Sequence, residues 1–99
     1  MRNYALMYIL RPDLGGEEEL NALIERVHGY LTDQGGTIES VEQSAPWGRR
    51  RMAYEMDNLQ EGYYILTHFT MDPSRCVVLE RNLKITEPVL RYMLVRVDE

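Results

Sequence analysis

Two stretches of helical periodicity, each set between strand-like segments, limit this chain to very few folds. The first lies within 20–31, where Leu20, Leu23, Ile24, Val27, Tyr30 and Leu31 recur at three- and four-residue steps as one apolar stripe. Gly15-Gly16-Glu17-Glu18-Glu19 opens that helix, with its acids in the first turn, where the helix dipole favours negative charge. Gln34-Gly35-Gly36 stops it, because glycine can take the left-handed cap conformation. A second helix starts at Asp72-Pro73, with aspartate as cap and proline at the first helical position. Its buried stripe is Cys76, Leu79 and Leu83.

The segments around these helices read as strands. Residues 4–10 are nearly continuous apolar and end at Arg11-Pro12-Asp13, the mark of a buried strand. Residues 37–43 form a weaker strand, whose Ile38 and Val41 have opposite parity and imply a bulge or bend. A basic turn region follows at 44–51, and 52–56 continue the strand structure on its far side. Residues 57–62 have the composition of a loop. A long strand at 63–71 is rich in Tyr, Ile, Thr and Phe. After a turn through Ile85-Thr86-Glu87-Pro88, the last strand runs over 89–97. The order is β-α-β-β-α-β. Two right-handed crossovers in one sheet must put both helices on the same face. The expected fold class is α+β, a ferredoxin-like sandwich. It has a four-stranded antiparallel sheet, first and third strands central, and two helices on one face. With 99 residues and no linker or repeat, 1–99 reads as a single domain.

That topology leaves one sheet face without helices, and an uncovered face should be polar. Here it is not. With Leu6, Tyr8 and Leu10 turned to the helices, Ala5, Met7 and Ile9 point away. With Ile65 and Phe69 inward, Tyr64, Leu66 and His68 face outward. With Tyr92 and Leu94 inward, the last strand presents Arg91, Met93 and Val95 outward. Reversing any strand's parity still leaves apolar residues outside. Such a patch marks a partner surface, made of Met7, Ile9, Tyr64, Leu66, Met93 and Val95. Self-association through the sheet and a loop folded over it are the alternatives.

Three of the eleven basic residues, Arg49, Arg50 and Arg51, stand consecutively in a chain of formal net charge −5. They belong to the run Trp47-Gly48-Arg49-Arg50-Arg51-Met52-Ala53-Tyr54, which reads as a basic hairpin tip entering a half-buried strand. Guanidinium groups in that setting suit planar, bidentate recognition of phosphate. A solvated run that guards a strand edge from aggregation is the other reading. The acidic balance excludes nonspecific nucleic-acid binding through net charge, so any such contact must be confined to a patch. Trp47 either packs under the turn or stacks on RNA.

Little else carries chemistry. His28 and His68 have no companion at metal-ligand spacing, and no metal or other cofactor is expected. Cys76 lies on a helix stripe and reads as core, not nucleophile. Gly15-Gly16 precedes a helix but lacks both dinucleotide spacing and a P-loop lysine. No nucleophile–base–orienter set can be assembled, so the chain reads as a binding protein and not an enzyme, with no small-molecule substrate. A single cysteine, no signal-peptide pattern and no apolar run of membrane-spanning length make the cytoplasm the expected location.

The run 47–56 closely resembles the signature of the bacterial small-subunit ribosomal protein S6 family. Tyr4 with Ile9-Leu10-Arg11-Pro12 looks like that family's opening strand and its exit, and Gly62-Tyr63-Tyr64 like the start of its third strand. Residues 79–95 resemble its closing helix and strand almost position by position. Met52 and Met56 stand where the family usually has aliphatic residues, and the long acidic tail of some members is missing. The resemblance implies a structural protein of the small ribosomal subunit that binds the central domain of 16S ribosomal RNA together with ribosomal protein S18. On that reading Arg49, Arg50 and Arg51 are expected to contact RNA, with Arg2, Arg91 and Trp47 as further candidates. Two other functions compete with this one. One is a ferredoxin-like homodimeric metabolite-binding protein or small enzyme using the open face, of which Arg11 is a faint echo. The other is a free RNA-recognition module stacking bases on Tyr64.

Overall fold

The apolar stripes and strands assemble, in a computed structural model describing residues 1–13, 15–43, 48–56 and 59–97 (53–56 as backbone alone), into one sheet under two helices. In chain order these are β1 (Arg2–Leu10), α1 (Glu17–Asp33), β2 (Thr37–Glu42), β3 (Gly48–Met56) and β4 (Leu59–Met71). They are followed by a 3-10 turn (Pro73–Arg75), α2 (Cys76–Ile85) and β5 (Val89–Arg96). All pairs are antiparallel, in the order β2-β4-β1-β5. The first strand and the long strand therefore occupy the middle, as the element order demands.

Five strands fill four positions. β2 and β3 lie end to end along one edge of β4, with Glu42 opposite Leu66 and Gly48 opposite Tyr64. Between these two pairings β4 has only Ile65. Cross-strand pairing at Arg51↔Glu61 and Met56↔Leu59 also starts β4 at Leu59, so 59–62 are strand and not the loop their composition suggested. The same pairing corrects the basic turn: Arg49, Arg50 and Arg51 sit within a paired strand, not on a hairpin tip. The irregularity expected in β2 falls between Ile38 and Ser40.

Local chemistry explains the helix ends. Gly35, at φ 78°, and Gly36 return their N–H groups to Thr32 and Leu31 carbonyls at 3.0 and 2.9 Å, closing α1. Before α2, the Asp72 carboxylate accepts from the Ser74 backbone N–H at 3.0 Å. Between sheet and helices, Leu6, Tyr8, Leu10, Ile65, Phe69 and Met71 pack against Leu23, Ile24, Val27 and Leu31 of α1 and Leu79 and Leu83 of α2. Tyr4 stacks on Phe69 with ring centroids 5.6 Å apart. At the helix ends, Tyr30 donates to Thr86 Oγ1 (2.8 Å), which donates to the Asn82 carbonyl (2.6 Å) and ties α1 to α2.

Candidate partner and RNA interface

On the sheet's other side the register sets out a continuous surface. Ala5, Met7 and Ile9 of β1 lie opposite His68, Leu66 and Tyr64 of β4 and, on the other flank, Val95, Met93 and Arg91 of β5. Met93 is 53% and Val95 45% exposed, while Met7, Tyr64 and Leu66 are half-buried. At the β2 edge the face turns polar, with Ser40 Oγ 3.2 Å from His68 Nδ1. The outward parity read from the sequence holds on all three strands.

Ile9 differs from its neighbours. It points to the open side but is only 4% exposed. A Cβ built on Gly62 would lie 2.4 Å from Ile9 Cγ2 and 3.3 Å from Met52 sulfur, so glycine here lets β3, β4 and β1 close up and Met52 is buried beside Ile9. Ile9 therefore fills a seam at the end of the face and offers no surface of its own. Met52 was legible only as an alternating strand residue, and its role in this seam had no sequence signal beyond Gly62.

The arginines divide. Arg50 is exposed and its guanidinium carbon stands 4.9 Å from the centroid of the Tyr64 ring on the open face. Arg49 points to the opposite side, where its Nε meets Glu61 Oε1 at 2.8 Å. Arg51 lies opposite Glu61 and is exposed. Arg91 is exposed on the open face, one strand away from Ile9, and Arg2 is exposed at the start of β1 opposite Met71. The structure thus brings Arg50 and Arg91 to one end of the open face and leaves Arg49, Arg51 and Arg2 off it. Trp47 lies outside the described residues.

A cleft of about 330 Å³ between the 11–17 segment and β3 includes Arg11, Gly15, Gly16, Glu17, Arg49 and Tyr63. Arg11 is held there by Asp13, Nε to Oδ1 at 3.1 Å and Nη2 to Oδ2 at 3.2 Å, which keeps the Asp13 carboxyl below the usual range. With Arg49 also ion-paired, neither guanidinium resembles a prepared anion cradle. Among the described residues no three His, Cys, Asp or Glu side chains gather as a metal site, and Cys76 is half-buried against the core. No helix of the described residues is long and apolar enough to cross a membrane. Two exposed apolar residues of α2, Val77 and Ile85, are further surface that the stripe Cys76, Leu79, Leu83 had left unmentioned.

The family model described as Ribosomal protein S6 matches residues 3–96. The chain is 46% identical over 99 residues to small ribosomal subunit protein bS6 of Thermoanaerobacter pseudethanolicus, covering all of both chains. It is 43% identical to the protein of the same name from Moorella thermoacetica, over the whole of this chain and 97% of that one. The crystal structure of 30S ribosomal protein S6 from Thermotoga maritima superposes with a TM-score of 0.88 at 32% identity, covering 97% of this chain and 87% of that one. An Arabidopsis thaliana protein matches with a TM-score of 0.55 at 11% identity over 100% and 95% of the two chains, a likeness of fold alone.

Proposed function

The chain belongs to the ribosomal protein S6 family, structural proteins of the small ribosomal subunit and not enzymes, and from that premise we propose that it binds the central domain of 16S ribosomal RNA together with ribosomal protein S18. The observation that carries this reading is the open sheet face, where Met7, Leu66, Met93 and Val95 form apolar surface with no helix above it. Flat sheets lack the concavity that small ligands require, whereas a protein partner can cover such an area without a pocket. Methionine suits that task, because its unbranched thioether adapts to the surface it meets. A basic partner also complements a chain of net charge −5 and supplies positive charge toward RNA that this chain lacks. On this chain the RNA contacts draw on Arg49, Arg50 and Arg51 of β3, with Arg2 at the start of β1 and Arg91 of β5 as further contacts. A homodimeric metabolite-binding protein is not favoured, since the family is ribosomal.

The test is calorimetric titration of the chain with S18, with and without a central-domain RNA fragment. Replacing Leu66 with Asp places an unpaired charge in the interface and should cost about 2–5 kcal/mol of S18 association while circular dichroism stays native. Unchanged affinity for S18, or no association by the native chain, would contradict the reading.

A further inference from the structure

The outer side of α2 combines apolar exposure with unpaired positive charge. Val77 is 63% and Ile85 74% exposed, and they stand about two turns apart with Arg81 midway. The three follow one another at four-residue steps, which makes a single ridge about 12 Å long. Lys84 lies beside it, and a groove of about 340 Å³ is lined by Val77, Glu80, Arg81, Lys84 and Ile85. Both cations are exposed and, among the described residues, neither forms an ion pair. Glu80, the acid next in sequence, instead accepts from the Tyr92 hydroxyl at 3.3 Å. Lys84 in the last turn complements the helix dipole, whereas Arg81 sits a turn earlier, where the dipole gives it little.

We propose that this flank of α2 is a docking groove for an acidic amphipathic helix of another protein. Apolar surface this exposed gains by being covered, and a ridge of four-residue steps is the shape that packs between the ridges of a second helix. Anchors on Val77 and Ile85 leave Arg81 and Lys84 between them for carboxylates of the partner, one of which the guanidinium can take bidentately. A net charge of −5 opposes an acidic partner at long range, so the contact depends on those anchors and on close pairing. RNA fits less well: its phosphates would meet the two cations, but they would also approach Glu80 and leave Val77 and Ile85 without apolar cover. A second copy of the chain fits no better. The exposed acids of its α1, Glu17, Glu18, Glu19 and Glu25, come with no large exposed apolar residue on that helix. Packing α2 against α2 would set cations against cations. The groove lies on the helix side of the sheet, so a partner here and S18 on the open face do not compete.

The probe is a synthetic helical peptide with leucines about seven residues apart and glutamates between them, titrated into the methyl-labelled full chain. A control peptide carries glutamine for each glutamate. The glutamate peptide should shift the Val77 and Ile85 methyl resonances and leave Met7 and Met93 in place, and the glutamine peptide should bind about 10-fold more weakly. Arg81→Gln should weaken binding of the glutamate peptide about 3- to 10-fold, and Ile85→Ser about 10-fold. Both positions are exposed, so thermal unfolding of the variants should match the native chain, and S18 affinity should not change. Absence of shifts at about 1 mM peptide, equal binding of the two peptides, or binding that Arg81→Gln leaves unchanged overturns the assignment. Two further results also overturn it. A salt slope for central-domain RNA that falls by about 1 in Arg81→Gln, without peptide binding, gives the groove to RNA. Self-association in sedimentation that Ile85→Ser abolishes gives it to a second copy. None of these outcomes touches the S18 reading, and failure to bind S18 leaves the groove unaffected.

Discussion

On the helix side of the sheet Leu6, Tyr8, Ile65 and Phe69 are completely buried, whereas one residue along the same strands Met7 and Leu66 stay half-exposed. Hydrophobic character is the same on the two sides; what differs is cover and side-chain type. The closed side uses mainly branched and aromatic groups, with Met71 among them, locked beneath α1 and α2. The open side uses Met7, Met93 and Leu66, apolar but unburied, with Arg50 and Arg91 at one end. A sheet that spends apolar residues on both faces needs only one of them to fold, which leaves the second for recognition.

The largest effect that would break this comparison is on the closed side. Phe69→Ala removes a fully buried ring stacked on Tyr4 and should cost about 3–5 kcal/mol of stability in urea denaturation. Met93→Ala, on the open side at 53% exposure, should change stability by less than about 1 kcal/mol. Equal losses would show that the two faces are not divided in this way.

The seam between the regions gives a smaller expectation. Gly62→Ala drives a methyl into Ile9 at 2.4 Å and should cost about 1–3 kcal/mol, read by thermal unfolding. A neutral result would mean that β3 and β4 are not packed so closely over β1.

The smallest expected effect is one of pH. Partial burial on α1 lowers the pKa of His28, against an opposing pull from Glu25 at 3.9 Å. Its folded value thus lies below its unfolded value of about 6.5, so the unfolded chain binds the proton first. Stability attributable to His28 is present above about pH 6.5 and is lost as pH falls through the folded value. His28→Gln should flatten the stability profile over that interval, a change visible in urea midpoints between neutral and mildly acid pH. A profile unaltered by the substitution would place the titration elsewhere.

Much of this was legible in the chain itself, for identifiable reasons. The 3.6 and 2.0 periodicities fixed both helices and the parity of β1, β4 and β5, and with them the closed core and the apolar open face. The opposite parity of Ile38 and Val41 marked the irregularity in β2. Composition misled at 59–62, where Gln60, Glu61 and Gly62 look like a loop but gain strand hydrogen bonds from β3, a partner no local pattern reveals. For the same reason Arg49, Arg50 and Arg51 read as one basic cluster: their separation onto two faces depends on register with β4. The covering of Ile9 by Met52 depends on a close approach across Gly62, which becomes visible only when three strands are assembled.

The division between the faces can be tested within a single spectrum. Met7 and Met93 lie on the open side and Met71 is wholly buried on the closed side, so methionine methyl resonances report on both at once. Titrating methyl-labelled chain with S18 should shift Met7 and Met93 together and leave Met71 in place. A displaced Met71 with Met7 and Met93 unmoved would contradict the assignment of the open face to a protein partner.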